Sequence, residues 1–319
     1  MNGVLNVVKI KFIHIAAVIL IISLVGCTST SNLSDGAKEI SPVENTSGFP
    51  MVITDSYNRQ VRIDKEPQRV ISIAPNITEI IFALNMSDKL IGRSEYCDWP
   101  EEVKDIASVG LIDNPSIEKI IELKPDLVLV STHFKKEIVE KLETLGVNVA
   151  AFYGDENFEG VYETIQNVGI VLNAKDEAQK LVAEMKAKVQ DVLERVKDRP
   201  RPSVYYAVSF GKEGDYTAGK GTFIGQMIEM AGGKNAADDV EGWAYSLEKL
   251  VEKDPDIIIC SKYFNSKQGI ENTNGYKDLR AVKEGRLFEI DNNLLDRQGV
   301  RQADGLIELA KIIHPEAFR

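Results

Sequence analysis

The sequence predicts an α/β protein of two similar lobes, each built on a mostly parallel sheet, joined by one long helix. Three observations lead there. The stretch SIEKIIELKPDLVLVS, Ser116 to Ser131, returns as SLEKLVEKDPDIIICS, Ser246 to Ser261. In each copy a serine opens a short helix with apolar residues at helical spacing, Ile117, Ile120 and Ile121 or Leu247, Leu250 and Val251. A Pro-Asp pair then ends it, because Pro125 and Pro255 cannot prolong a helix and bias the residue before them away from one. Second, Leu127 to Val130 and Ile257 to Ile259 run without polar alternation, as strands buried on both faces of a parallel sheet do. Third, residues 173–198 between the copies contain good helix formers and neither Gly nor Pro, until Pro200 and Pro202 stop them. Such a helix covers roughly 35 to 40 Å and reads as a strut between lobes.

Taken in order, Lys9 and Lys11 precede an apolar run from Phe12 to Gly26, about fifteen residues, short of the roughly 20 that span a bilayer. It ends Leu24-Val25-Gly26-Cys27, the cleavage sequence of a bacterial lipoprotein, so residues 1–26 are a signal peptide and Cys27 carries the lipid. Residues 27–50, rich in Ser, Thr, Asn and Gly, form a flexible tether. The first lobe, 51–172, opens with the hairpin pattern MVITDSYNRQVRI, followed by the buried strand Arg69 to Ala74 and a helix from Pro75 to near Asn85. A short strand, Lys89 to Gly92, leads into the loop Arg93 to Pro100, on the side where open α/β sheets bind ligands. After the first repeat copy come a helix (Lys135 to Leu145), a strand (Val147 to Phe152) and a helix ending near Leu172. The connecting helix occupies 173–200. The second lobe, 201–319, begins with the strand Ser203 to Phe210.

Composition narrows the function. A net charge of −11 and the lack of any Lys/Arg cluster argue against nucleic acid. There are three cysteines; Cys27 is taken by lipid, and Cys97 and Cys260, in different lobes, read as free thiols. No pair of CxxC motifs and no His cluster offers a metal site, and no cofactor is expected. Gly214 to Thr222 is one residue short of a P-loop, with Gly221 where the magnesium-binding hydroxyl belongs, so its glycines serve a tight turn or close approach instead. His133 and His314 lack an evident nucleophile partner. An enzyme is therefore not expected, and a surface enzyme or adhesive module stays as the alternative from another class.

From about Arg69 to the C-terminus the chain resembles the substrate-binding lipoproteins of bacterial ABC importers for vitamin B12, haem and ferric siderophores. RVISIAPNITEIIFAL, the loop Ser94 to Pro100, Val109-Gly110, TAGKGTFIGQMIEMAGGKN and PDIII carry the resemblance. It implies the helical-backbone periplasmic-binding fold, with ligand in the cleft between lobes, and an extracytoplasmic monomer, anchored to the outer face of the cytoplasmic membrane, that serves a permease dimer and its ATPase. Tyr96-Cys97-Asp98-Trp99-Pro100 is most similar to the cobalamin binders.

A corrin is broad, apolar on its faces and fringed with amides, so its site should offer aromatic faces and a few hydrogen-bonding groups. Tyr96 and Trp99 in one lobe and Phe210, Tyr216 and Trp243 in the other are the candidates. By resemblance Asp296 and Arg297 also face the ligand, although Leu294 and Leu295 stand where bulky aromatics are usual. Leu111 stands where haem-binding relatives place a Tyr and enteric-type cobalamin binders a Trp; it cannot ligate iron, and it also departs from the known corrin pocket. A ferric siderophore, which Arg93, Arg297 and Arg301 could meet, and haem stay as alternatives to the corrinoid. Glu118 and Glu248, two residues after each helix-opening Ser, suit the helix dipole. In the importer family, glutamates at these matched positions form salt bridges to arginines of the two permease subunits.

Overall fold

A computed structural model describes residues 48–319. The signal peptide, Cys27 and the tether up to residue 47 lie outside the described residues. Among those described, no helix is long and apolar enough to cross a membrane.

The hairpin is β1 (Met51–Thr54) and β2 (Gln60–Ile63), paired antiparallel. Asp55 closes its turn by accepting the N–H groups of Tyr57 and Arg59, each at 3.0 Å. Its carboxylate also accepts the N–H of Ala151 at 3.2 Å, which pins the hairpin to the edge of the first sheet. That sheet contains β3 (Val70–Ser72), β4 (Leu90–Arg93), β5 (Leu127–Val130) and β6 (Val149–Ala151), all parallel, in the order β4-β3-β5-β6. Its helices are α1 (Pro75–Ala83), α2 (Ile117–Glu122), α3 (Lys136–Thr144) and α4 (Phe158–Val171). Pro75 begins α1 where its missing N–H costs nothing, and Asn85, at φ 58°, turns the chain out of it.

Helix α5 (Lys175–Val196) has 22 residues, about 33 Å of length. Ala178, Val182, Met185, Val189, Val192 and Val196 make its buried stripe at helical spacing. The stripe packs on α4 of the first lobe and on the last helix, α11, of the second (Gln302–Ile313). One apolar core therefore runs from Ile77 and Ile165 through Val182 and Met185 to Ile228 and Leu306.

The second sheet holds β7 (Ser203–Ser209), β8 (Tyr216–Thr217), β9 (Lys234–Asn235), β10 (Ile257–Ser261) and β11 (Leu287–Ile290). Its order is β11-β10-β7-β8, and β9 runs parallel to β7 as β4 does to β3. Helices α6 (Phe223–Met230), α7 (Leu247–Lys253), α8 (Ser266–Asn272), α9 (Arg280–Lys283) and α10 (Asn293–Asp296) precede α11. Counting only the parallel strands of each sheet, and so leaving out the antiparallel β8, both lobes set their second, first, third and fourth strands side by side, with α2-β5 and α7-β10 as the duplicated units.

The aspartate of each Pro-Asp pair has a task the sequence did not disclose. Asp126 accepts the N–H of Arg69 at 2.9 Å and Asp256 that of Ser203 at 2.8 Å, so each repeat ties down the entry to its lobe's first strand. The Ser203 N–H and the Arg280 guanidinium hold the Asp256 carboxyl below its ordinary pKa, against the desolvation that raises it. Cys97 and Cys260 are buried and unbridged, as expected.

Candidate functional site

A cavity of about 660 Å³ lies between the lobes. The first lobe lines it with the carboxyl ends of its parallel strands: Asn76 after β3, Ser131 to His133 after β5, and Tyr153 after β6. That is the edge where open α/β sheets bind ligands. The second lobe contributes Phe223 and Ile224 at the start of α6, Trp243, and Leu295 to Gln298.

Trp243 is held by the glycine-rich segment. Thr217 N–H donates to the Trp243 carbonyl at 2.8 Å and Gly219 N–H to that of Gly242 at 2.9 Å. A Cβ on Gly219 would stand 2.5 Å from the Gly242 oxygen and 2.6 Å from that of Val240, so only glycine permits this approach. Thr222 then caps α6, accepting from Gly225 N–H at 3.1 Å. The near-P-loop is thus a device for close backbone packing.

Behind the cavity residue Arg297, Glu79 of α1, whose side chain is 1% exposed, binds two arginines of the second lobe. Arg297 Nη1 lies 3.0 Å from Glu79 Oε1, and Arg301 donates to both carboxylate oxygens at 2.6 and 2.9 Å. Asp98 adds a 2.6 Å bond to Arg297, and the Arg301 guanidinium stacks 4.6 Å from the Trp99 ring centroid. Burial lowers the Arg297 pKa, but the Asp98 and Glu79 bonds outweigh it and leave the pKa raised. Burial pushes the neighbouring Asp296 carboxyl up, while the Asn292 amide, 2.6 Å away, favours its charged form. Asn76 donates to the Gln298 carbonyl at 3.1 Å, Gln226 to that of Glu156 at 2.9 Å, and Phe158 meets Phe223 edge-on at 5.2 Å, so the lobes touch around the cleft.

Of the residues expected at the ligand, Trp243, Asp296 and Arg297 line the cavity. Tyr96 does not; it is 52% exposed, with its carbonyl 3.5 Å from Arg297 Nη2. Trp99 borders a separate surface hollow with Phe82 and Asn85. Tyr216 is exposed on β8, bridged to Ala244 beside Trp243. Phe210 packs on Tyr276, at 5.9 Å, in the core of the second lobe. At the position after Gly110, Leu111 is exposed and the next residue, Ile112, lines the cavity. Reasoning on aromatics missed Asn76, His133 and Tyr153; each lies within three residues of the end of a buried strand run, and that position is the signal that finds them.

Glu118 and Glu248 stand exposed in the first turns of α2 and α7. Ser116 and Ser246 cap these helices alike, accepting from Lys119 N–H at 3.3 Å and Lys249 N–H at 3.2 Å. Among the described residues neither glutamate side chain has an ion-pair or hydrogen-bond partner.

A family model described as periplasmic binding protein matches residues 70–294. An uncharacterized ABC transporter substrate-binding lipoprotein of Bacillus subtilis (strain 168), YvrC, is 33% identical over 95% of this chain and 97% of its own. A cobalamin-binding protein of Halobacterium salinarum is 27% identical over 83% of this chain and 74% of its own. Among solved structures, a possible iron-binding (periplasmic solute-binding) protein from Staphylococcus epidermidis superposes with a TM-score of 0.70 at 30% identity, covering 78% of this chain and 100% of that one. With two like lobes, a cleft at their strand ends and these matches along nearly its whole length, the chain belongs to the periplasmic binding protein family, as a non-enzymatic, extracytoplasmic substrate-binding component of an ABC transporter.

Proposed function

We propose that the cargo is a corrinoid of the vitamin B12 type, captured by a monomer that a lipid on Cys27 holds at the outer face of the cytoplasmic membrane. Glu118 and Glu248 dock the loaded protein on a permease dimer, and the associated ATPase drives import. The observation that supports a corrinoid is the absence of an uncommitted cation on the cavity wall. Arg297 is the one Lys or Arg among the lining residues, and Glu79 and Asp98 already bind it. Arg301 is bound to Glu79, and Arg93 donates to the carbonyls of Val103 and Ser94 at 2.9 and 3.0 Å. The carboxylates of haem or of an anionic ferric siderophore would find no free Lys or Arg partner there. An amide-fringed ligand finds Asn76, Ser131 and Gln298 for its edge and Trp243, Phe223 and Ile224 for its faces.

Fluorescence quenching by cyanocobalamin tests this. Trp243→Ala is expected to weaken binding by roughly 1 to 3 kcal/mol, the range for a well-packed aromatic anchor. Phe210→Ala should lower stability and leave affinity near wild type, since that ring packs inside the lobe. Equal affinity of wild type and Trp243→Ala would place the ligand elsewhere.

Closure should be small. Bending α5 would break its hydrogen-bond ladder, and the lobes already share a core and the Glu79 cluster. X-ray scattering curves with and without saturating cyanocobalamin are expected to nearly superimpose; a large fall in radius of gyration would contradict a rigid strut.

A further inference from the structure

We infer that His133 is an axial ligand to the cargo's metal, displacing an exchangeable water from a Co(III) corrinoid; this rests on the corrinoid reading above. His133 is the third residue after β5, and it lines the cavity. The residue takes the left-handed conformation, φ 66°, at the turn that leads away from the strand. Its Nδ1 lies 3.2 Å from Thr132 Oγ1, and among the described residues no protein group hydrogen-bonds to Nε2. The other donors on the wall are less suited. Tyr153 spends its hydroxyl on the Ser56 carbonyl at 3.0 Å, Asp296 is held by Asn292, and no Cys or Met lines the cavity. Glu156 brings only a hard carboxylate, where a transition metal in a tetrapyrrole-type ring favours imidazole nitrogen.

The repeat sharpens the point. Extending it places Tyr263 opposite His133 in the second copy, yet Tyr263 turns its hydroxyl to Asn293 at 3.4 Å and is not among the cavity residues. A nitrogen donor at this position is thus peculiar to the lobe whose loop forms the cleft wall. It also bears on the class of cargo: a hexadentate siderophore saturates its iron with oxygen and has no site for imidazole, whereas a corrinoid carries one exchangeable axial position.

The step balances without a co-reactant. The Co–OH₂ bond breaks, the neutral imidazole gives its Nε2 lone pair to form Co–N, water leaves, and cobalt stays Co(III). Cyanide on cyanocobalamin is held too strongly to be displaced, so that ligand binds through shape and hydrogen bonds alone.

The test uses untagged full-length protein, with wild type, His133→Ala and His133→Gln titrated with aquocobalamin and with cyanocobalamin while absorbance is recorded. Wild type should convert bound aquocobalamin to the spectrum of imidazole-ligated cobalamin and favour it over cyanocobalamin by about tenfold or more. Both variants should lose the spectral change, and their aquocobalamin-to-cyanocobalamin affinity ratio should fall to near one. Binding of both cobalamins by wild type without the spectral change, or its persistence in His133→Ala, overturns the inference alone. Binding of neither overturns the corrinoid reading, and the inference with it.

Discussion

Glu79→Gln is expected to lower the unfolding free energy by about 3 to 5 kcal/mol in a denaturant titration, the cost of leaving buried charge without its counterion. Glu79 is almost wholly buried, and the side chains it holds, Arg297 and Arg301, are 14% and 13% exposed. Asp98, 53% exposed, is the one other carboxylate among the described residues that forms an ion pair with Arg297, and it cannot neutralise both guanidiniums. The substitution keeps the side chain's shape but turns one accepting oxygen into a donating NH2 against the guanidiniums, and it leaves a net positive charge between α1 and the α10–α11 turn. A triple variant, Glu79→Leu with Arg297→Met and Arg301→Met, removes the charges together and should recover most of the loss. If Glu79→Gln unfolds at the wild-type midpoint, the cluster does not join the lobes.

The second large effect concerns transport. Glu118→Gln and Glu248→Gln should each reduce uptake in cells, and the double variant should reduce it by at least about tenfold, while cyanocobalamin affinity in solution stays at the wild-type value. Both side chains are exposed and unpaired at equivalent helix starts, so two acidic points on a pseudo-symmetric body match a two-fold receptor. Helix capping is already supplied by Ser116 and Ser246, so loss of the carboxylates should hardly change stability. Raising salt should weaken the wild-type complex with reconstituted transporter and affect the double variant little. Normal import by the double variant would reduce the glutamates to helix-dipole partners.

Much of the architecture was legible because it rests on local signals. The repeat, the unalternated runs of β5 and β10, and the uninterrupted helical pattern of α5 each report a period or a propensity within one window, and together they specify two like lobes and a strut. The site was legible only in part. Trp243, Asp296 and Arg297 reach the cavity, but Phe210, just past β7, turns onto Tyr276, because strand alternation no longer fixes facing once the strand has ended. Glu79 escaped notice because its partners lie 218 and 222 residues away, a separation no periodicity records. The sequence offers His133 no nucleophile partner, but its place just past a buried strand run puts it on the cavity wall.

Corrinoid capture is tested most directly by parallel calorimetric titrations of the purified protein with cyanocobalamin, hemin and a ferric siderophore bearing free carboxylates. Saturable one-to-one binding is expected for cyanocobalamin, none for the ferric siderophore, whose carboxylates meet no free Lys or Arg on the cavity wall, and weaker binding for hemin, whose iron His133 can ligate but whose propionates lack the same partners. Saturable binding of hemin or the ferric siderophore, with no heat from cyanocobalamin, would contradict it.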